Sequence, residues 1–116
     1  MLLAAAVFTR AAVLAGTLCT GAGTERVTPS CTRVRGNAEC ALIAGLTLSG
    51  DEIWISWPED LGAGSVLVLA KGTARVRRGS ESLSSKEAMV RIVIGNGKAK
   101  LHSINFDFSQ QTDLCQ

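Results

Sequence analysis

In RIVIGNGKAKLHSINFDF (residues 91–108), apolar and polar residues alternate on both sides of Asn96-Gly97. Alternation puts successive side chains on opposite faces of a strand. Asn-Gly is the favoured pair for a two-residue hairpin turn. The stretch therefore predicts a β-hairpin whose register is set by counting from the turn: Ile94 opposite Ala99, Val93 opposite Lys100, Ile92 opposite Leu101. Ile92, Ile94, Ala99 and Leu101 form an apolar face, and Arg91, Val93, Lys100 and His102 a wet, cationic one. Beyond His102 the alternation slips by one place. Ile104, Phe106 and Phe108 would then face water while Asp107 entered the core. An unpaired buried carboxylate costs several kcal/mol, and each exposed Phe forfeits about 2–3 kcal/mol. One extra residue near His102 or Ser103, a β-bulge, restores a single apolar face; the alternative is a strand that bends from one sheet to the other, as a sandwich corner allows.

The same two-residue period runs through the rest of the chain. In DEIWISW (51–57), Ile53, Ile55 and Trp57 share one face, with Trp54 on the other. SVLVLA (65–70) is apolar on both faces, as a mid-sheet strand requires. ARVRR (74–78) turns Ala74 and Val76 inward and Arg75 and Arg77 outward. Turn signals punctuate these segments at Arg35-Gly36-Asn37, Ser49-Gly50-Asp51 and Lys71-Gly72-Thr73, and GSESLSSKE (79–87) reads as a polar loop. After residue 23 no segment holds the helical period over three turns. The sequence predicts an all-β domain, an antiparallel β-sandwich (immunoglobulin-like) or small barrel of six or seven strands. With 116 residues, 47% hydrophobic and 4% aromatic, one domain with an aliphatic core is expected.

Residues 1–22, MLLAAAVFTRAAVLAGTLCTGA, stand apart. Arg10 precedes an apolar run, and Thr20-Gly21-Ala22 offers small residues at a cleavage point. The expectation is an N-terminal apolar leader helix, a signal peptide over 1–22, and a single β-domain over 23–116 that is secreted or periplasmic. A retained anchor or packing helix is the rival, and only that rival would bring a membrane contact. Removal of the leader takes Cys19 with it and leaves Cys31, Cys40 and Cys115 as disulfide candidates, with the pairing open between Cys31–Cys40 and a bridge from either to Cys115; three buried free thiols in a reducing compartment are the alternative.

Chemistry-bearing patterns are sparse. There is no G-x-S-x-G, no S-x-x-K spacing and no phosphate-binding glycine motif. Cysteine and histidine lack zinc-site spacing, so no cofactor or metal is expected. The pairs Asp51-Glu52 and Glu59-Asp60 read as solvated turn acids. A net charge of +2 is too small to imply nucleic acid. What remains is a candidate binding surface of Arg75, Arg77, Arg91, Lys100 and His102, together with an outward Trp54 as a contact anchor. The expected function is that of a non-catalytic binding, inhibitor or assembly-accessory module acting on a protein partner. A structural subunit with a retained N-terminal helix and a minimal hydrolase using His102 are the alternatives.

Overall fold

The computed structural model describes residues 18–28, 31–57, 63–95 and 98–106. They form seven strands: β1 (Leu18–Thr20), β2 (Gly23–Thr28), β3 (Cys31–Ala41), β4 (Leu46–Ser56), β5 (Ala63–Arg78), β6 (Glu81–Gly95) and β7 (Lys98–Asn105). All belong to one antiparallel sheet in the order β1-β3-β4-β5-β6-β7. β2 shares the β3 edge with β1: β1 pairs with residues 39–41 and β2 with residues 31–35. A 3₁₀ turn, Ile43–Gly45, joins β3 to β4 and is closed by the Leu42 N–H donating to the Leu46 carbonyl at 2.7 Å. The sheet confirms the all-β reading drawn from the two-residue period.

Three expected turns are bends inside continuous strands. Between the pairs Arg35–Glu52 and Ala38–Gly50, Gly36 and Asn37 of β3 stand opposite Asp51 alone. Between Lys71–Glu87 and Ala74–Ser85, Gly72 and Thr73 of β5 stand opposite Lys86 alone. Two residues against one bend and twist a strand without reversing it. Each doubled pair has left-handed backbone: φ is +82° and +50° at Gly36 and Asn37, +77° and +52° at Gly72 and Thr73. That explains why the sequence imitates turns here, since both structures call for residues tolerant of positive φ. The bends line up across β3, β4, β5 and β6. They divide the sheet into a half carrying β2 and β7 and a half carrying β1. Glycine is required at both doubled pairs for a second reason. A Cβ on Gly36 would lie 2.5 Å from that of Ala22, and one on Gly72 would collide with the Asp51 side chain.

The core is aliphatic on both sides of the bend line. Val34, Ile53, Ile55, Val66, Val68, Ala70, Ala88, Val90, Ile92 and Ile94 fill the first half, and Ala38, Cys40, Leu46, Leu48, Ala74 and Val76 the second. Trp57 joins Ile53 and Ile55 in the core as the alternation predicts. β5 is buried on both faces at Val68, Leu69 and Ala70, as its run of apolar residues requires. The hairpin register also holds: Ile94 pairs with Ala99, Val93 with Lys100 and Ile92 with Leu101. The next pair is Arg91 with Ser103, so His102 is the extra residue of a bulge, and Val90 meets Ile104 on the core side. Ile104 and Phe106 pack against the core. Phe108 lies outside the described residues, as do most of the expected leader and its helix.

The first departure from expectation is at the N-terminus. The expected boundary between Ala22 and Gly23 falls inside the sheet, between β1 and β2. Cys19 pairs directly opposite Cys40, is fully buried and is disulfide-bonded to it. Ala22 donates its N–H to the carbonyl of Arg35 at 2.8 Å. Cys31 and Cys40 cannot bridge each other, because they occupy opposite ends of β3. Cys31 is disulfide-bonded too, and the remaining cysteine of the sequence, Cys115, lies outside the described residues. The second departure is at GSESLSSKE: only Gly79 and Ser80 turn, and residues 81–87 are strand. Among the described residues no helix is long and apolar enough to cross a membrane.

Four outcomes follow from this geometry. Non-reducing peptide mapping should recover a Cys19–Cys40 cross-linked peptide and find Cys31 oxidised. Replacing Cys19 and Cys40 by Ser should lower the urea-unfolding free energy by about 3 kcal/mol, the loop-closure value for a bridge of this span. At the bend, Gly72→Ala should cost about 3 kcal/mol by combining a strained φ with the clash on Asp51. Thr73→Gly should instead stabilise by about 0.5–1 kcal/mol, because a β-branched residue is released from left-handed backbone.

Candidate functional site

On the face opposite the core, the half carrying β2 and β7 holds two cross-strand rows. The first runs Glu25, Arg33, Trp54, Leu69, Met89, Asn105, and the second Arg35, Glu52, Lys71, Glu87, each residue directly opposite the next. The second row alternates in sign across four strands, an arrangement worth about 0.2–1 kcal/mol per pair in a sheet. The rows are also joined to each other. Arg33 holds Glu25 at 2.5 Å and reaches Glu52 at 4.0 Å, and Arg35 lies 3.6 Å from Glu25. The hydrogen bond and charge of Arg33 hold the Glu25 carboxyl below the ordinary carboxylate range against an opposing desolvation, and Arg35 adds the smallest contribution.

This network takes up Trp54. Arg33 stacks over its ring at 4.9 Å and Lys71 at 5.9 Å from the centroid. The indole is half-buried among its own chain's cations, so the outward anchor expected from the alternation is built into the sheet's surface.

The remaining predicted cations fall into two places. Arg75 and Arg77 lie beyond the bend line on β5, exposed, opposite Ser84 and Ser82. Arg77 is paired with Glu39 at 3.3 Å, whereas no ion pair among the described residues engages Arg75. Arg91 is half-buried between Leu67 and Ser103. Lys100 and His102, both exposed on β7, line a hollow of about 610 Å³ with Val93, Gly95, Leu101 and Lys98. The structure therefore brings Lys100 and His102 together and adds Lys98. It separates them from Arg75 and Arg77.

Lys98 was readable as the first member of K-x-K-x-H, three basic residues at strand period. The Glu25–Arg33–Glu52 network was not readable, because it depends on pairings between residues far apart in sequence. No described acid lines the hollow. Among the described residues no group of three or more His, Cys, Asp or Glu is placed to hold a metal ion. Comparison of the chain with family models, curated proteins and solved structures finds no match.

The ion-pair network has a measurable signature. In a carboxyl-detected NMR titration, Glu25 should titrate below the usual range, and Arg33→Met should return it toward that range. The linked stability is present above the ordinary glutamate pKa and is lost as pH falls through the depressed one. Glu25→Gln should remove that acid-side dependence and lower stability by a constant amount above the ordinary glutamate pKa, where the charged Glu25 contributes.

Proposed function

We propose that this chain is a small exported, non-catalytic binding domain that receives a carboxylate-bearing surface of a protein partner in the hollow formed by Lys98, Lys100 and His102. The carrying observation is the charge balance of the two surfaces. Around Trp54 the cations are matched by acids of the same sheet, while the hollow gathers three basic side chains and no described acid. Unneutralised cations around a shaped, partly apolar hollow favour an acidic counterpart and speed its encounter. Of the two expected architectures, the continuous bent sheet favours the small, incompletely closed barrel over the two-sheet sandwich.

Export is supported by the disulfides, which persist in oxidising compartments such as the periplasm or the extracellular space. A leader cut after Ala22 would remove Cys19 and leave Cys40 without its partner. The cut consistent with the bonded core lies upstream of Leu18, where Ala15, Gly16 and Thr17 supply small residues.

Zero-length carbodiimide cross-linking in the native compartment tests the binding reading. Cross-links to partner Asp or Glu should concentrate on Lys98 and Lys100. The double variant Lys98→Glu/Lys100→Glu should lose them and weaken capture at least tenfold at low salt. Cross-links confined to Lys71 or Lys86 would refute the assignment. A hydrolytic activity that His102→Ala abolishes would refute the non-catalytic reading.

A further inference from the structure

β6 is longer than the strand that covers it. β7 pairs with it from Met89 to Gly95, while residues 81–87 pair with β5 on one side and with no described strand on the other. Most of this stretch is exposed, and Leu83 shows 63% of its surface. By register Leu83 belongs to the core side, since it stands opposite the buried Val76. β7 ends at Asn105, opposite Met89, and the Phe106 carbonyl accepts a hydrogen bond from the Ser85 hydroxyl at 3.4 Å. Beside Leu83 lies a groove of about 560 Å³ whose apolar lining is Leu46, Val76, Leu83, Ile104 and Phe106, with Arg78, Glu81 and Ser82 also on its wall.

We propose that residues 81–87 of β6 are a strand-addition site for an extended segment of a partner protein that alternates apolar and acidic residues. An uncovered strand edge presents a row of backbone N–H and C=O groups that a new strand can complete. The added strand would turn every second side chain toward Leu83 and the groove, which selects apolar residues there. The intervening side chains would lie beside Ser82, Ser84 and Lys86 on the opposite face. Arg75 stands opposite Ser84, one strand further in. Neither Arg75 nor Lys86 is engaged in an ion pair among the described residues, so that face selects acids. A second copy of this chain fits less well, because its own 82, 84 and 86 positions would offer two serines and another lysine to the same cations. The site lies across the bend from the hollow at Lys98 and Lys100 and stands independently of it.

The test uses the full chain and three synthetic ten-residue peptides: alternating Val and Glu, the same sequence N-methylated at every second residue, and alternating Val and Lys. Amide hydrogen exchange locates binding. The Val/Glu peptide should protect amides within residues 81–87 and bind at least tenfold more tightly than the other two. Leu83→Glu should weaken it at least tenfold with an unchanged melting curve, and Arg75→Glu should narrow the preference for Glu over Lys. Protection elsewhere, or equal binding of the N-methylated peptide, overturns the proposal. So does an edge already protected in the free chain, whether by its own C-terminal residues or by a dimer seen in sedimentation. If Leu83→Glu loses the peptide while carbodiimide cross-linking at Lys98 and Lys100 persists, the two surfaces are separate. The reverse pattern removes the hollow and leaves the strand edge.

Discussion

The bend line governs this molecule. A single sheet of long strands has two faces and can bury only one of them against itself if it turns. Here the turn is made inside the strands, where Gly36-Asn37 and Gly72-Thr73 oppose single residues on the neighbouring strands. The doubled positions hold left-handed backbone that only glycine or a tolerant polar residue adopts at low cost. Thr73 is neither, so β5 carries local strain that the sheet on both sides holds in place. Both halves of the core depend on that geometry. Without the bend, Leu46 and Leu48 on one side and Ile53 and Ile55 on the other could not converge.

Much of this was legible from two-residue periodicity. The hairpin register, the bulge at His102, the double-faced burial of the middle of β5 and the inward Trp57 all follow from side-chain alternation, a local property of a strand. The bend was not legible as a bend. Gly-Asn and Gly-Thr carry the chemistry of a reversal, and the difference between reversal and bulge is decided by the neighbouring strands. GSESLSSKE was misread for a related reason: an edge strand exposed on nearly every side has no apolar alternation to announce it. The role of Cys19 was hidden by composition. It follows a run of Ala, Leu and Val, and nothing local shows that Cys40 will lie opposite it.

The candidate sites divide along a similar line. A strand-period run of basic residues marks β7 in the sequence, so the hollow was partly visible. What could not be seen was which cations keep free charge. Arg33, Arg35 and Lys71 belong to a sheet surface that neutralises itself, and Arg77 is matched by Glu39. Arg75, Lys86, Lys98 and Lys100 make no ion pair among the described residues, and they stand beside the two places where the described sheet leaves a hollow or an unpaired edge. Functional potential is here a remainder after internal pairing, and that remainder is set by register.

The Cys19–Cys40 bond bears on how the chain is made. Both cysteines lie in the N-terminal portion and face each other as soon as β1, β2 and β3 come together. During vectorial synthesis or translocation the bond can close before β5, β6 and β7 have emerged. A covalently locked β3 then serves as the template on which β4 aligns.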